Sequence, residues 1–193
     1  MRRLLVIFTL TLLPLWVAAG VVNVPARQSG KIKSAAASAA AGDTLLLSTG
    51  EYTETSNIVL AKALTVMAAQ GAQPVLKMSC RFEVSSDFAL LGLQIQSTAE
   101  IIRMVYADTP YSVAVRNCEL SGCPAKFIRA YSFTGVTEPY INKLTVDNCI
   151  FRMERPATDN KPCAIEAAYT LVFLQSSGHP HQFSHLSHYR RQP

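Results

Sequence analysis

Short runs in which apolar and polar residues alternate follow one another from residue 42 to residue 153. Alternation with a period of two is typical of β-strands, whose side chains point to opposite faces in turn. No amphipathic helix of usual length is predicted between these runs, which argues against a βαβ sheet. The predicted strands span residues 45–47, 64–68, 75–78, 82–84, 88–95, 101–106, 113–120, 127–131 and 144–151.

Three of these strands repeat one internal pattern. Two apolar residues at alternate positions lead to a glycine or an asparagine. Two more apolar residues follow, also at alternate positions, but they are shifted by one residue relative to the first two. The sets are Phe88-Leu90-Gly92-Leu93-Ile95, Val113-Val115-Asn117-Cys118-Leu120 and Leu144-Val146-Asn148-Cys149-Phe151. Their first residues are 25 and 31 positions apart, and a weaker copy starts with Leu64 and Val66, 24 positions before Phe88.

This one-residue shift in the alternation requires the chain to bend at Gly92, Asn117 and Asn148 if all the apolar side chains are to face one interior. Glycine and asparagine are the residues that most readily adopt the left-handed backbone conformation. A repeat of this length made of short strands predicts an all-β fold, the right-handed parallel β-helix, with turns stacked about 4.8 Å apart.

Stacking of successive turns brings the repeated polar and sulfur-containing residues together. Asn117 is expected against Asn148, and Cys118 against Cys149. We interpret Gly92, Asn117 and Asn148 as a structural turn ladder, with the asparagine side chains pointing inward. We interpret the two cysteines as a structural stack in the core, because no histidine lies near them in the pattern to activate a thiol.

The first 41 residues divide into two segments. Two arginines, an apolar run to residue 17 and the small residues at 18–20 predict a signal peptide over residues 1–19. We therefore expect a secreted, periplasmic or cell-surface protein with no membrane span after cleavage. Residues 20–41 predict a short strand and an alanine-rich helix from Ser29 to Ala41, with Gly42 at its C-cap. This helix is expected to cap a β-helix that occupies residues 42–153.

Charge and cysteine content exclude several classes of function. The formal net charge is +5, and the lysines and arginines are mostly scattered singly, which argues against a nucleic-acid partner and leaves an acidic polysaccharide compatible. The five cysteines are an odd number and are not spaced as a disulfide framework or as paired zinc-binding motifs. No Gly-x-Ser-x-Gly elbow of a nucleophilic hydrolase is present.

Several short motifs resemble those of a known group of enzymes. They are Gly42-Asp43-Thr44, Gly50-Glu51-Tyr52, Leu91-Gly92-Leu93, Arg116-Asn117-Cys118 and Asp147-Asn148-Cys149. The chain is similar over residues 21–153 to the N-terminal half of chondroitinase B and related alginate lyases, which have a pectate-lyase-like β-helix. The resemblance implies action on uronate-containing polysaccharides by β-elimination. In these lyases a calcium ion neutralises the uronate carboxylate, a lysine removes the C5 proton and an arginine assists the leaving oxygen.

The resemblance carries no catalytic residue over to this chain. The calcium-binding, glutamate-rich segment and its following lysine have no match after Phe151, and no lysine follows Lys161. We therefore expect an incomplete or inactive copy of a lyase, with catalytic, substrate-binding and metal-binding residues unassigned and calcium as cofactor only in an active enzyme. The alternative is a noncatalytic β-helix that binds glycan or serves as a surface structural module.

Residues 154–193 depart from the pattern and contain all four histidines: His179, His181, His185 and His188. A zinc site is one interpretation, since neutral imidazoles are good ligands. We predict an irregular or disordered tail instead, because the stretch is polar and has no carboxylate to orient the histidines. A truncated or frame-shifted gene product is a third interpretation. With so few turns, the C-terminal end of the β-helix is expected to be open and to self-associate.

Overall fold

The computed structural model describes residues 19–123, 126–130, 142–153, 163–167 and 170–175. The predicted signal peptide, except Ala19, and the four histidines lie outside these ranges. The described residues contain one helix, α1 (Lys31–Ser38), and three parallel sheets, which we name A, B and C.

Each sheet is a stack of parallel strands in chain order. Sheet A contains β1 (Val21–Val24), β2 (Thr44–Leu47), β5 (Leu64–Ala68), β8 (Phe88–Leu91), β11 (Ser112–Arg116), β14 (Asn142–Asp147) and β17 (Thr170–Gln175). Sheet B contains β3 (Gly50–Glu54), β6 (Pro74–Met78), β9 (Gln94–Ser97), β12 (Glu119–Ser121) and β15 (Ile150–Arg152). Sheet C contains β4 (Ile58–Leu60), β7 (Phe82–Val84), β10 (Ile102–Met104), β13 (Lys126–Ala130) and β16 (Cys163–Ala167).

From β2 onward the chain passes through sheets A, B and C in turn and then begins the next coil on sheet A. Each strand inside a sheet therefore pairs with the equivalent strand of the coil before it and of the coil after it, and the strands at the two ends of each sheet pair on one side. The predicted parallel β-helix with one short N-terminal helix is confirmed. The repeat alignment is confirmed as well, because Phe88 pairs with both Leu64 and Val113, and Val113 pairs with Leu144.

The interior is filled by columns of equivalent residues from successive coils. One column on sheet A runs through Leu45, Val66, Leu90, Val115 and Val146, each paired in register with the next. All five side chains are at most 1% exposed. Complete burial of a side chain of this size stabilises the fold by about 1.5–3 kcal/mol, so each coil depends on its neighbours to keep its core dry.

Two buried tyrosines hold the ends of strands through their hydroxyl groups. The Tyr52 hydroxyl donates to the Val24 carbonyl at 2.8 Å and so ties the first coil to β1. The Tyr111 hydroxyl lies 2.7 Å from the Val84 carbonyl and 2.6 Å from the Val105 carbonyl. Burial raises the pKa of Tyr111 above its usual range, so this group stays a neutral donor.

Helix α1 connects β1 to β2 and packs against the strands of the first coil through the buried Ile32 and Ala36. The helix is shorter than predicted and ends at Ser38, not near Gly42. Lys62 donates its ammonium protons to the carbonyls of Ala37 and Ala39, and the Asp43 carboxylate accepts from the Ala40 amide at 2.7 Å. These side chains supply the hydrogen bonds that a further helical turn would have made, so the chain leaves the helix early.

The N-terminus of α1 is capped from a distance. Its N-cap residue, Gly30, has no side chain to supply a cap, and the Glu54 carboxylate of β3 accepts from the Ile32 amide at 2.7 Å instead. Glu54 is only 1% exposed. Burial raises the pKa of the Glu54 carboxyl above its ordinary value, and the amides of Ile32 and Lys33 oppose this shift only in part.

Two strands lie inside the segment predicted as an irregular tail. Strands β16 and β17 extend sheets C and A, with Ile128 paired to Ile165 and Val146 paired to Leu174. The side chain of Ile165 is buried, so the core continues beyond residue 153. The prediction of an irregular tail over the whole of residues 154–193 is therefore corrected for these strands, which were missed because no Asn or Gly bend marks them.

No helix in the described part of the chain is long and apolar enough to cross a bilayer.

Replacement of Glu54 by Gln tests the role of its buried carboxyl. Because the pKa of Glu54 is raised in the folded state, protonation of this carboxyl favours the folded state. The resulting contribution to the free energy of unfolding is complete below about pH 4.3, the pKa of an unfolded-state glutamate, and is lost as the pH rises through the folded-state pKa. The free energy of unfolding of the parent chain relative to Glu54→Gln should therefore fall as the pH rises above about 4.3. Urea unfolding at several pH values measures it.

Glu51→Gln is the matched control, since Glu51 lies on the exposed face of the same strand. A difference between the parent and Glu54→Gln that stays constant or grows with pH would contradict the expected direction.

Candidate functional site

The residues of the predicted turn ladder lie at the corner between sheets A and B. Gly92, Asn117 and Asn148 have φ values of 69°, 54° and 49°, so all three adopt the left-handed conformation. They separate β8 from β9, β11 from β12 and β14 from β15. The Asn148 amide Nδ2 donates to Asn117 Oδ1 at 2.8 Å, which forms one rung of an amide ladder along the axis.

The asparagine side chains point outward, which corrects our expectation that they point inward. Both Asn117 and Asn148 are exposed. A left-handed residue reverses the alternation of side chains, so the residue after it takes the inward position. Leu93 and Cys118 occupy that position and are 1% and 2% exposed.

Cys118 and Cys149 follow the asparagines on adjacent coils, and their thiol groups are hydrogen-bonded to one another. Cys118 is buried and Cys149 is half-buried. The hydrogen bond with Cys149, together with burial, raises the pKa of Cys118, whereas the hydrogen bond from Cys118 lowers the pKa of Cys149. Cys118 is therefore kept as a protonated thiol that is turned into the core, so it lacks the accessible thiolate of a nucleophilic cysteine.

The outer face of sheet C is occupied by a closed network of charges. Glu83, Arg103, Arg129 and Glu166 stack in register on β7, β10, β13 and β16. Glu100 lies among the arginines with only 9% of its side chain exposed. It contacts Arg103, and it lies 3.3 Å from Arg81 and 3.4 Å from Arg129. Because the arginines of this face are already matched by carboxylates, a polyanion would have to displace the network to bind there.

The outer face of sheet B carries uncharged, cationic and acidic hydrogen-bonding groups, the acidic ones being Glu51 and Glu119. One outward column consists of Thr53, Lys77, Gln96, Ser121 and Arg152, each paired in register with the next. Hydroxyl, amide, ammonium and guanidinium groups thus follow one another at the spacing of the strands, about 4.8 Å.

The edge of sheet B is extended by the segment before α1. The Arg27 amide donates to the Glu51 carbonyl at 2.8 Å, and the Gly30 amide donates to the Thr53 carbonyl at 2.9 Å. Arg27 has a φ of 67°, a left-handed conformation that is uncommon for a residue with a long side chain. Such local strain often accompanies a functional position.

Two neighbouring depressions share Thr53 as a lining residue, and we treat the two together as one cleft. The first is about 520 Å³ in volume and is lined by Arg27, Gln28, Ser29, Gly50, Glu51 and Thr53. The second is about 380 Å³ and is lined by Thr53, Glu54, Thr55, Lys77, Met78, Ser79, Gln96, Ser97, Thr98 and Gly122. We name this cleft the sheet B cleft.

The two cations of the sheet B cleft are exposed. Lys77 forms a 2.7 Å ion pair with Glu51, and the two side chains are 47% and 61% exposed. An exposed pair of this kind contributes about 0–1 kcal/mol and opens readily to another anion. The sequence pattern does not mark Arg27, Lys77 or Gln96 as functional. The outward positions of Lys77 and Gln96 follow from the alternation along their strands, whereas the cleft forms only when the coils are stacked and the segment that contains Arg27 lies along the edge of sheet B.

In the part of the chain that the structure describes, no group of three histidine, cysteine, aspartate or glutamate side chains is close enough together to hold a metal ion. The predicted zinc ligands of the tail lie outside the described residues.

Comparisons with known proteins support the fold. No protein-family model matches the chain, and no curated protein is significantly similar to it. The chain is similar in structure to the PL6-family alginate lyase AlyGC, with a TM-score of 0.51 and 19% sequence identity. The likeness covers 82% of this chain but only 29% of that enzyme, so the chain spans less than a third of its length. Similarity at this identity supports the parallel β-helix fold alone.

Replacement of Asn148 tests the left-handed corner. Asn148→Leu should destabilise the fold by about 1–2 kcal/mol, because the left-handed conformation is costly for a residue with a branched apolar side chain. Asn148→Gly keeps the backbone conformation and loses only the exposed side-chain hydrogen bond to Asn117, so its effect should be smaller. Urea unfolding compares them, and an equal loss in both variants would refute a backbone origin.

Replacement of Glu100 tests the charge network. Glu100→Gln should lower the free energy of unfolding by about 1–3 kcal/mol, because three arginines lose their shared carboxylate. Glu119→Gln is the control, since its 2.6 Å pair with Arg152 is exposed and should contribute about 0–1 kcal/mol. Chemical denaturation of both variants measures the difference, and equal effects would argue against a special role for Glu100.

Proposed function

We propose that the chain is a polysaccharide-lyase-like β-helix module that binds an acidic polysaccharide in the sheet B cleft. The observation that carries the proposal is the cleft itself, which runs across β3, β6 and β9 and presents Arg27, Lys77 and Gln96 on one face. The similarity to an alginate lyase supports the same class of ligand.

The chemistry of the cleft suits a uronate-containing chain. Sugar hydroxyls need partners that both donate and accept, which the hydroxyls of Thr53, Ser79 and Thr98 supply. Uronate carboxylates need cationic donors, and charge-assisted hydrogen bonds to them are about twice as strong as neutral ones. The ammonium of Lys77 and the guanidinium of Arg27 are such donors at two places along the cleft.

Catalysis requires more than this cleft. β-Elimination on a uronate needs a group that neutralises the carboxylate and a base within about 3 Å of the proton to be removed. Lys77 is the one lysine of the sheet B cleft among its described lining residues, and its ammonium is paired with Glu51. We therefore propose binding without efficient turnover by this chain as it stands, which includes the noncatalytic glycan-binding alternative.

Binding is tested with the secreted chain and soluble polysaccharides. Affinity electrophoresis through gels containing alginate, dermatan sulfate or polygalacturonate should show retardation, and a gel containing neutral dextran should not. Lys77→Ala and Arg27→Ala should each weaken binding by roughly five- to thirtyfold, the equivalent of about 1–2 kcal/mol per charged hydrogen bond. Added salt should weaken binding further.

Arg116→Ala is the matched control, because it removes the same charge from an exposed position on sheet A. Retardation that is unchanged in the Lys77 and Arg27 variants, or lost equally in Arg116→Ala, would place binding elsewhere. Ultraviolet absorbance of the unsaturated product should show little or no lyase activity with calcium present. Robust turnover that a chelator abolishes would overturn the noncatalytic proposal.

A further inference from the structure

The backbone nitrogen of Gly20 lies directly against the carboxylate of Asp43. Gly20 N donates to Asp43 Oδ1 at 2.7 Å, a short distance for an amide donor. The Gly20 carbonyl accepts from the Thr44 amide at 2.9 Å, so the residue is fixed on both sides. The nitrogen of Gly20 is thus held at one place relative to the carboxylate.

Asp43 is a buried carboxylate without a described cationic side chain as partner. It is 7% exposed, and none of the ion pairs in the described part of the chain includes it. Its other oxygen, Oδ2, accepts from the Ala40 amide at 2.7 Å. Buried charges in proteins are usually paired, so the position next to Oδ1 is where a positive charge would be most stabilising.

We propose that removal of the leader between Ala19 and Gly20 creates a binding partner for this carboxylate: the new α-ammonium group of Gly20 forms a buried ion pair with Asp43. Water, delivered by a leader peptidase, adds across the Ala19–Gly20 peptide bond. Ala19 leaves with the new carboxylate, and the nitrogen of Gly20 becomes a protonated amine. An amide donor at 2.7 Å is thereby replaced by a charged donor at the same position.

The site fits glycine as the first residue. A Cβ atom at position 20 would lie 3.0 Å from Asp43 Oδ1, so a larger residue would press on the carboxylate. Ala19 is exposed, so the scissile bond lies at the surface.

The ion pair would fasten the first strand after processing. Strand β1 follows Gly20 directly and pairs only with β2 on the first edge of sheet A. Asp43 comes just before β2 and also holds the turn after α1 through Ala40. The ion pair therefore links the residue before β1 to the turn between α1 and β2. Processing would in this way stabilise the N-terminal end of the β-helix.

The free α-amino group is tested by comparing three forms of the mature chain. One begins with Gly20, one begins with Nα-acetylated Gly20 and one retains Ala19 as its first residue. The first should unfold at a temperature a few degrees higher than the other two at pH 7. The advantage should be complete below about pH 7.7 and should disappear as pH rises through the raised pKa of the folded amine. Lys31, Lys33 and Lys62 lie on the elements around the site and are present in every form, so their titration cancels in the comparison.

Asp43→Asn supplies the second measurement. In the form that begins with Gly20, this change should abolish the advantage over the acetylated form and should speed acylation of the α-amine at pH 8 several-fold. The acetylated and Ala19 forms leave Asp43 intact, so the test stands even if Asp43→Asn folds poorly. Equal unfolding temperatures for the free and acetylated forms across pH 6–10 would overturn the ion pair. A secreted chain whose mass shows a first residue other than Gly20 would overturn the processing site.

Discussion

In-register pairing of each strand with the equivalent strand one coil earlier is the constraint on which the rest of the molecule depends. The columns of buried residues on sheet A exist because the hydrogen-bond ladders fix Leu90 over Val66 and under Val115. A slip by one residue would turn every inward side chain to solvent, so the register cannot relax gradually. The left-handed corners at Gly92, Asn117 and Asn148 preserve this register while the chain changes direction between two sheets.

In the described part of the chain, only β1 and the segment around α1 precede the first coil, and a different set of interactions closes that end. The helix α1 brings Ile32 and Ala36 over the core, and Glu54 from β3 holds the beginning of the helix. Asp43 and Lys62 hold its end. Buried polar side chains at the cap thus make hydrogen bonds to the backbone around α1, although one oxygen of Glu54 has no hydrogen-bond partner, whereas the stacked coils are filled mainly with apolar side chains.

The outer faces of the sheets differ in how their charges are used. Arginines on sheet C converge on Glu100 and Glu166, so the charges there hold neighbouring coils together. On sheet B, Lys77 and Arg152 each meet one exposed glutamate, and the surface between them is neutral and hydrogen-bonding. A ligand with many carboxylates and hydroxyls can therefore displace exposed pairs on sheet B at little cost, which is why the proposed binding function is assigned to that face.

Local pattern determined the coil repeat, the parallel pairing and the bend positions, because a period-two alternation interrupted by Gly or Asn is encoded in adjacent residues. The same pattern could not set the direction of the Asn117 and Asn148 side chains or the early end of α1. The direction at the asparagine corners depends on the following residue, such as Cys118, taking the inward position. The end of α1 depends on Lys62 and Asp43 reaching the helix from other segments. Strands β16 and β17 are also not predicted by the local pattern, since their position is set by pairing with the strands that contain Ile128 and Val146 on the preceding coil. The sheet B cleft was decided by tertiary structure alone, because Arg27, Lys77 and Gln96 are far apart in the chain and meet only when stacking turns residues one coil apart into neighbours about 4.8 Å apart.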